Sequence, residues 1–217
     1  MINTHAVFFD LDGTIADTNA LILECLAQTL AHATGRTWTT AEILPSWGLL
    51  LRDQLSLLAP EIDLERAVPY YRDRYATDHD AMLCEFPDMR EMLATLVQAD
   101  YPLAVVTSKK RAHAEQTLTN LGYTHFFSLL VAEEDAPRVK PAPDPLLRAL
   151  AHFNLAPEDA CYLGDNPDDI YAAHAAGMPA IAVAWSMRPH HELHAARPDA
   201  FIHSPGELLR ILGLQKS

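Results

Sequence analysis

Short apolar runs recur along the chain, each with the length of a β-strand, at residues 6–9, 103–106, 129–131, 161–163, 180–184 and 200–202. From Phe86 onward these runs alternate with helical patterns at residues 88–98, 111–121, 145–153, 167–176 and 205–212. The runs lack the every-other-residue polar pattern of a strand that has one face in water. The pattern therefore predicts a doubly wound, Rossmann-like α/β core, in which helices cover both faces of a parallel sheet.

The segment between the first and second apolar runs is too long to be a single crossover helix. It carries helical patterns at residues 17–34, 50–58 and 64–78. Between the first two patterns, Thr39 and Glu42 have the spacing of a capping box, which opens a short helix that Pro45 ends. We therefore expect an all-helical domain of residues 16–83, inserted into a core of residues 1–15 and 84–217.

The composition is that of an acidic globular protein. The 217 residues include 29 acidic and 16 basic side chains, which gives a formal net charge of −13 at pH 7. Such a charge disfavours broad contact with nucleic acid and docking on an anionic membrane, whereas a small charged ligand needs only a local group of cations. We expect a monomer or a dimer whose partner is a small molecule.

The cysteines and the absence of long apolar stretches indicate the compartment. Cys25, Cys84 and Cys161 lie far apart without metal-ligand spacing, which is typical of buried small apolar residues in a reducing compartment. No stretch approaches the about 18 uninterrupted apolar residues of a membrane span, and the first residues do not resemble a secretory leader. We expect a cytoplasmic protein.

Two carboxylates, Asp10 and Asp12, follow the first predicted strand, at the end where open parallel sheets bind ligands. If both are ionised and about 4 Å apart, the two carboxylates repel each other by about 4 kcal/mol at an effective dielectric constant of about 20. A hard divalent cation removes this repulsion, and Mg²⁺ suits a site of one or two carboxylates plus substrate phosphate oxygens. Taken alone, Asp12 and Gly13 are equally typical of an ordinary turn after a strand.

A second group of acids follows the fourth apolar run. Asn166 suits the N-cap of the next helix, Pro167 its first position and Asp169 the third residue after the cap, so capping accounts for part of this acidity. Capping does not account for Asp165, which precedes the cap. If the first and fourth strands are neighbours, Asp165 and the two acids of the first strand form an oxygen-only metal site.

Phosphate-binding groups follow the second run and a Pro-rich segment. Thr107 and Ser108 offer hydroxyl and backbone N–H donors suited to phosphate oxygens. The only basic run, which starts at Lys109, most simply begins a helix, but Lys109 lies close enough to add positive potential over a phosphate. Lys140 precedes Pro141 in a conformationally restricted stretch. Most surface lysines are simply solvated, but a lysine held in this way in an acidic protein is a more specific counter-charge for phosphate.

These segments resemble, in order, the four motifs of the haloacid dehalogenase (HAD) superfamily: Asp10-Leu11-Asp12-Gly13-Thr14, then Thr107, then Lys140-Pro141, and last Gly164-Asp165 with Asp169. The match covers the whole predicted core, and the helical insertion resembles the first-type cap of that family.

The resemblance implies a role for each motif. Asp10 would be the nucleophile that takes the phosphoryl group as an aspartyl phosphate. Asp12 would be the general acid that protonates the leaving oxygen, and then the base that activates water. Thr107 and Lys140 would hold the transferring phosphoryl group. Phosphoryl transfer needs mainly positioning and charge neutralisation, which such groups provide.

The resemblance also implies a Mg²⁺ site. The metal would be bound by the carboxylates of Asp10 and Asp165 and by the backbone carbonyl of Asp12, with Asp169 as an outer partner. Four acids of this chain would then gather around one cation, which reverses the sign of the field where a phosphate sits.

Asp12 distinguishes branches of the superfamily. Dehalogenases lack an acid at this position because a leaving halide needs no proton, so a phosphatase or a phosphomutase is favoured. Residues 164–178 resemble the phosphoglycolate phosphatase group, and the pair Ala184-Trp185 is similar to pyrophosphatase members of that group. In the helical insertion, Arg52 either binds a carboxylate or second phosphate of the substrate or pairs on the surface with Asp53.

We therefore expect a Mg²⁺-dependent phosphatase that hydrolyses a small phosphorylated metabolite, such as phosphoglycolate, or diphosphate through an aspartyl phosphate. One alternative is a sugar phosphomutase of the β-phosphoglucomutase type. An alternative of another class is a receiver-like module that is phosphorylated on Asp10 without turnover, against which Asp12 and the helical insertion argue.

Overall fold

The computed structural model describes residues 4–214. Its strands are, in chain order, β1 (Ala6–Phe9), β2 (Ala16–Asp17), β3 (Cys84–Glu85), β4 (Leu103–Val106), β5 (Leu129–Val131), β6 (Ala160–Gly164), β7 (Ala180–Val183) and β8 (Ala200–Ile202). Its helices are α1 (Asn19–Thr34), α2 (Thr40–Ile43), α3 (Leu51–Leu58), α4 (Leu64–Met82), α5 (Met89–Gln98), α6 (Arg111–Asn120), α7 (Asp144–Phe153), α8 (Pro167–Ala176), α9 (His190–Ala195) and α10 (Pro205–Ile211).

Six of the strands form one parallel sheet in the order β5-β4-β1-β6-β7-β8. β1 lies between β4 and β6, with Phe9 opposite Val105 on one side and opposite Leu163 on the other. The predicted parallel α/β core is therefore confirmed. Because β1 and β6 are neighbours, the polar residues that follow them meet at the same edge of the sheet.

Both faces of the sheet are covered, since every residue of β1 and β4 is buried. On one face, the side chains of Phe8 and Tyr162 share a core with Leu146 of α7 and Ile170 of α8. Complete burial of a side chain such as Phe8 contributes about 2 kcal/mol to folding. This packing explains why the strands are continuous apolar runs, with no polar residue at alternate positions.

The chain divides into two compact units. The core unit is the chain up to Asp17 together with the chain from Cys84 onward, and the helical unit is Thr18–Leu83. β2 and β3 pair antiparallel, with Ala16 opposite Glu85 and Asp17 opposite Cys84. This pairing holds together the two points where the chain leaves and re-enters the core unit, so Ala16 and Asp17 belong to that unit rather than to the insertion.

The helical unit contains the helices α1 to α4. Leu30 of α1 shares an apolar core with Leu55 of α3 and Val68 of α4. Gly35 ends α1 in the left-handed conformation, with φ of 75°. The capping box of Thr39 and Glu42 opens α2 as predicted.

α2 ends at Ile43, just before Pro45, as predicted, and Pro45 itself lies in the first turn of a 3₁₀ helix, Leu44–Ser46, that follows α2 directly. One predicted helix end in this unit was wrong. α4 continues to Met82 instead of stopping at residue 78, and it includes Pro69. Pro69 lies near the start of α4, where a missing N–H costs little.

The cysteines are all free thiols, but they differ in exposure. Cys25 and Cys161 are buried, as expected, whereas Cys84 is exposed. The expectation of burial was wrong for Cys84 because β3 is half of a two-stranded ribbon with both of its residues exposed. Among residues 4–214, no helix combines the length and apolar character that crossing a membrane requires.

Candidate active site

Three adjacent strands of the core unit end in polar residues at one edge of the sheet. Asp10 follows β1, Thr107 follows β4 and Asp165 follows β6, and all three are buried. The backbone ladder extends past the strands, since the Asp10 amide donates to the Leu163 carbonyl at 2.8 Å and the Thr107 amide donates to the Val131 carbonyl at 2.9 Å. The sheet therefore fixes the positions from which these side chains leave the backbone.

Lys140 lies among these strand ends, with a side chain that is only 7% exposed. Its ammonium donates to Asp10 Oδ1 at 2.8 Å, to Tyr162 Oη at 2.9 Å and to Asp169 Oδ1. A lysine ammonium has three N–H donors, so these contacts engage all of them. Lys140 is thus a fixed positive charge beside the Asp10 carboxylate.

Asp169 is placed by the start of α8. Its Oδ2 accepts from the Asn166 amide at 3.0 Å in a capping box, as the sequence predicted, and its other oxygen accepts from Lys140. Close packing of β6 against this turn needs glycine, because a Cβ on Gly164 would lie 2.2 Å from the Cβ of Asp169. The helix cap and the ion pair with Lys140 therefore use the same carboxylate.

Asp165 is held by two loops. Thr14 Oγ1 donates to Asp165 Oδ1 at 3.5 Å, and Ser186 Oγ donates to the Asp165 carbonyl at 2.6 Å. Gly13 has φ of 77°, and a Cβ at that position would lie 2.5 Å from Asp165 Oδ2. Glycine at position 13 therefore lets the loop after β1 approach the Asp165 carboxylate.

The carboxylates of Asp10, Asp165 and Asp169 each offer an oxygen within 4.8 Å of the others, and all three residues are buried. Lys140 supplies a single positive charge to these three acids. Oxygen donors with excess negative charge are the set that a hard divalent cation prefers, so the residues fit Mg²⁺. The site was predicted to include Asp12 as well, through its backbone carbonyl.

The electrostatics of the site follow from burial. Burial raises the pKa of Asp10 from 3.8 to about 6, with Lys140 acting in the opposite direction and Asp169 adding to the rise. Burial also raises the pKa of Asp165 well above its ordinary value, and Asp169 and Asp10 add to this. For Lys140, burial favours a lower pKa, but Asp10 and Asp169 outweigh it and hold the pKa well above its ordinary value.

The Asp12 carboxylate takes part in a separate ion pair. Lys109 Nζ donates to Asp12 Oδ1 at 2.8 Å and to Thr117 Oγ1 at 3.0 Å. We expected Lys109 to act on the substrate phosphate, but in this structure its ammonium contacts the acid proposed to protonate the leaving group. Through its backbone amide, Lys109 also donates to Thr107 Oγ1 at 3.2 Å.

The remaining predicted site residues are less tightly held. Ser108 is half-buried directly after Thr107. Arg52 belongs to the helical unit, where it pairs with Glu65 rather than with Asp53, and both members of the pair are exposed. Contact of Arg52 or Ser108 with a substrate stays a prediction.

Sequence reasoning missed two residues that contact the site. Tyr162 looked like one more apolar residue of β6, yet its hydroxyl accepts from Lys140. Ser186 looked like an ordinary loop residue, yet it contacts Asp165. Tyr162 was detectable as a side chain with a polar end inside a fully buried strand, where such an end needs a hydrogen-bond partner.

Comparisons with known proteins identify the family to which the chain belongs. Residues 7–183 match the model of the haloacid dehalogenase-like hydrolase family. The chain is 37% identical over 207 residues to "Putative pyrophosphatase PpaX" of Caldanaerobacter subterraneus subsp. tengcongensis, covering 95% of this chain and 94% of the relative. It is 32% identical over 213 residues to pyrophosphatase PpaX of Anoxybacillus flavithermus, covering 98% and 99%.

A solved structure of a haloacid dehalogenase-like family hydrolase from Streptococcus pneumoniae superimposes with a TM-score of 0.84 at 27% identity, covering 97% of this chain and 99% of that one. The chain belongs to the haloacid dehalogenase-like hydrolase family. It is an enzyme of the phosphatase class, which argues against the receiver-like module without turnover.

Proposed function

We propose that the protein is a Mg²⁺-dependent phosphatase that transfers the phosphoryl group of its substrate to Asp10 and then hydrolyses the aspartyl phosphate. The observation that carries this proposal is the position of Lys140, which bonds Asp10 and Asp169 beside Asp165 at the ends of β1 and β6. A carboxylate nucleophile, a fixed cation and a group of metal-binding acids then occupy one edge of the sheet.

In the first half of the reaction, a carboxylate oxygen of Asp10 attacks phosphorus and the bond to the leaving oxygen breaks. Asp12 gives its proton to that oxygen. Thr107, at the end of β4, offers its hydroxyl to the phosphoryl oxygens, and Lys140 neutralises their charge. Bound Mg²⁺ would supply further positive charge to the same oxygens, held by Asp10 and Asp165 and by the carbonyl of Asp12, with Asp169 outside them.

In the second half, water attacks the phosphorus of the aspartyl phosphate. Asp12, now ionised, accepts the proton of that water, and the bond between phosphorus and Asp10 breaks. Inorganic phosphate leaves, and both carboxylates return to their starting states. Lys109 holds Oδ1 of Asp12 at 2.8 Å, so the carboxylate keeps one orientation through both proton transfers.

For the substrate, we propose a small phosphorylated compound, with diphosphate first among the candidates. Support comes from the relatives at 37% and 32% identity, which are named as pyrophosphatases and are matched over nearly their full length. Arg52 of the helical unit is the residue we propose for a second phosphate or a carboxylate of the substrate, since a guanidinium can bond either group with two N–H donors. The role of this unit as a cap is part of the proposal.

The test is an assay of phosphate release with Mg²⁺ from diphosphate, phosphoglycolate, phosphoserine, sugar phosphates and nucleotides. Asp10→Asn should abolish turnover. The variant should still show a cooperative thermal unfolding transition, because the substitution leaves the fold intact. Turnover retained by this variant with Mg²⁺ would overturn the aspartyl phosphate mechanism. Isomerised sugar phosphate as the main product, in place of free phosphate, would establish the phosphomutase alternative.

A further inference from the structure

Tyr162 lies in the middle of β6 and is 1% exposed. Its hydroxyl accepts from Lys140 Nζ at 2.9 Å and donates to the carbonyl of Val106 at 2.6 Å. Val106 is the last residue of β4, directly before Thr107. The hydroxyl of one buried tyrosine therefore contacts Lys140 and the residue directly before Thr107. Lys140 and Thr107 are the two residues proposed to hold the phosphoryl group.

The direction of these hydrogen bonds is fixed by chemistry. The Val106 carbonyl at 2.6 Å and Asp169 Oδ1 at 3.4 Å can both only accept, and the single phenolic proton goes to the nearer acceptor, Val106. A protonated ammonium can only donate, so the lone pair of the phenol faces Lys140. Burial raises the pKa of Tyr162 well above its ordinary value, which keeps the hydroxyl protonated.

We propose that Tyr162 is a positioning residue, whose hydroxyl sets the place of the Lys140 ammonium relative to the end of β4. The proposal rests on the proposed function, because it concerns the groups that hold the transferring phosphoryl group. Without this hydroxyl, Lys140 loses one of its three hydrogen bonds and keeps those to the carboxylates of Asp10 and Asp169. The ammonium is then drawn toward these acids and away from Thr107.

The Lys140 contact separates this role from ordinary packing. A tyrosine that only fills the core would need a partner for its hydroxyl, and the Val106 carbonyl alone would serve. Here the hydroxyl also receives a charge-assisted hydrogen bond from a lysine that is itself bonded to the proposed nucleophile. Such bonds are stronger than neutral ones and fix geometry more tightly.

The experiment compares the wild type with Tyr162→Phe in the presence of Mg²⁺, with p-nitrophenyl phosphate as the probe substrate. We expect kcat to fall by about tenfold to hundredfold, the range that a hydrogen bond to a charged group is worth, with KM changed by less than about threefold. Tyr123→Phe is the matched control, since Tyr123 is a fully buried tyrosine that packs on Phe126, and it should keep wild-type kcat. Thermal unfolding of each variant shows that it is folded at the assay temperature.

A double-mutant cycle shows whether Tyr162 acts through Lys140. In a Lys140→Gln background, Tyr162→Phe should lower kcat/KM by less than about twofold, because the ammonium that it positions is gone. An equal loss in both backgrounds would overturn the proposal, as would wild-type kcat in a folded Tyr162→Phe variant. If turnover of Lys140→Gln is too slow to measure, the inhibition constant of orthovanadate replaces kcat/KM in the same cycle.

Failure of this inference is distinguishable from failure of the proposed function. If Asp10→Asn abolishes turnover while Tyr162→Phe has the wild-type rate, the mechanism stands and the positioning role is wrong. If Asp10→Asn keeps its activity, the proposed function itself is wrong.

Discussion

Lys109 Nζ lies 2.8 Å from Asp12 Oδ1, in an ion pair whose lysine side chain is only 9% exposed. The same ammonium donates to Thr117 Oγ1 of α6 at 3.0 Å, and the Lys109 carbonyl accepts from the Glu133 amide at 3.0 Å. Lys109 is therefore anchored at both its backbone and its side chain. A lysine anchored in this way orients Asp12, and a free surface cation would not.

We predict that Lys109→Met impairs proton donation by Asp12. The expected loss in kcat/KM is about tenfold to hundredfold for alkyl phosphates, whose leaving oxygen needs a proton, and is much smaller for p-nitrophenyl phosphate. Steady-state kinetics over a series of leaving groups measure this difference. Lys110→Met, which removes the neighbouring charge, should leave the series unchanged. The same loss for every leaving group would show that Lys109 acts on the phosphate instead.

Mg²⁺ is predicted to stabilise the folded protein, because the buried acids of the site need a counter-charge. A ligand at a hundredfold excess over its Kd adds about 2.7 kcal/mol to the free energy of unfolding. We expect a rise in Tm on adding Mg²⁺ and no such rise in Asp165→Asn. Asp168→Asn changes a half-buried acid in the first turn of α8 that is outside the cluster of three, and it should keep the rise. A full Mg²⁺ effect in Asp165→Asn would exclude Asp165 as a ligand.

The stability of the metal-free protein should fall as pH rises through the pKa of Asp10. Burial raises this pKa from 3.8 to about 6, so the folded state binds the proton more tightly than the unfolded state does. The contribution of Asp10 to stability is therefore complete below about pH 3.8 and is lost as pH rises through about 6.

Thermal unfolding in a metal chelator at several pH values measures this effect. Between pH 4 and pH 7, Asp10→Asn should lose less Tm than the wild type does. The difference between the two losses measures the contribution of Asp10. The rise in Tm caused by Mg²⁺ should have the opposite trend and increase from pH 5 to pH 7, since the carboxylates must lose their protons to bind the metal. An equal Mg²⁺ effect at both pH values would contradict this linkage.

Gly164→Ala should damage the site by steric contact. The added Cβ would lie 2.2 Å from the Cβ of Asp169, so α8 or β6 must move. We expect a loss of about 1–3 kcal/mol in the free energy of unfolding and a large loss of turnover. Gly213→Ala is the control, because its Cβ meets nothing within 4 Å and only its φ of 74° strains the backbone. Wild-type turnover in Gly164→Ala would show that Asp169 does not need its observed position.

Much of the fold could be predicted from the sequence, because local patterns encode it. Apolar runs without alternation predicted the six parallel strands, and the capping residues predicted the starts of α2 and α8. The two-stranded ribbon of β2 and β3 was missed, since each strand has only two residues and their pairing joins distant parts of the chain. The end of α4 was missed because packing against α1 extends a helix that propensity alone would end sooner.

The sequence by itself determined which chemical groups stand at the ends of β1, β4 and β6, because a motif places a residue at the end of a strand. Only the tertiary structure decided which of these groups touch. Lys140 bonds Asp10 across 130 positions of the chain, Lys109 bonds Asp12 across 97, and Tyr162 bonds the carbonyl of Val106 across 56. Such contacts depend on strand order and on the burial that forces each polar atom to find a partner. No local pattern records either of these.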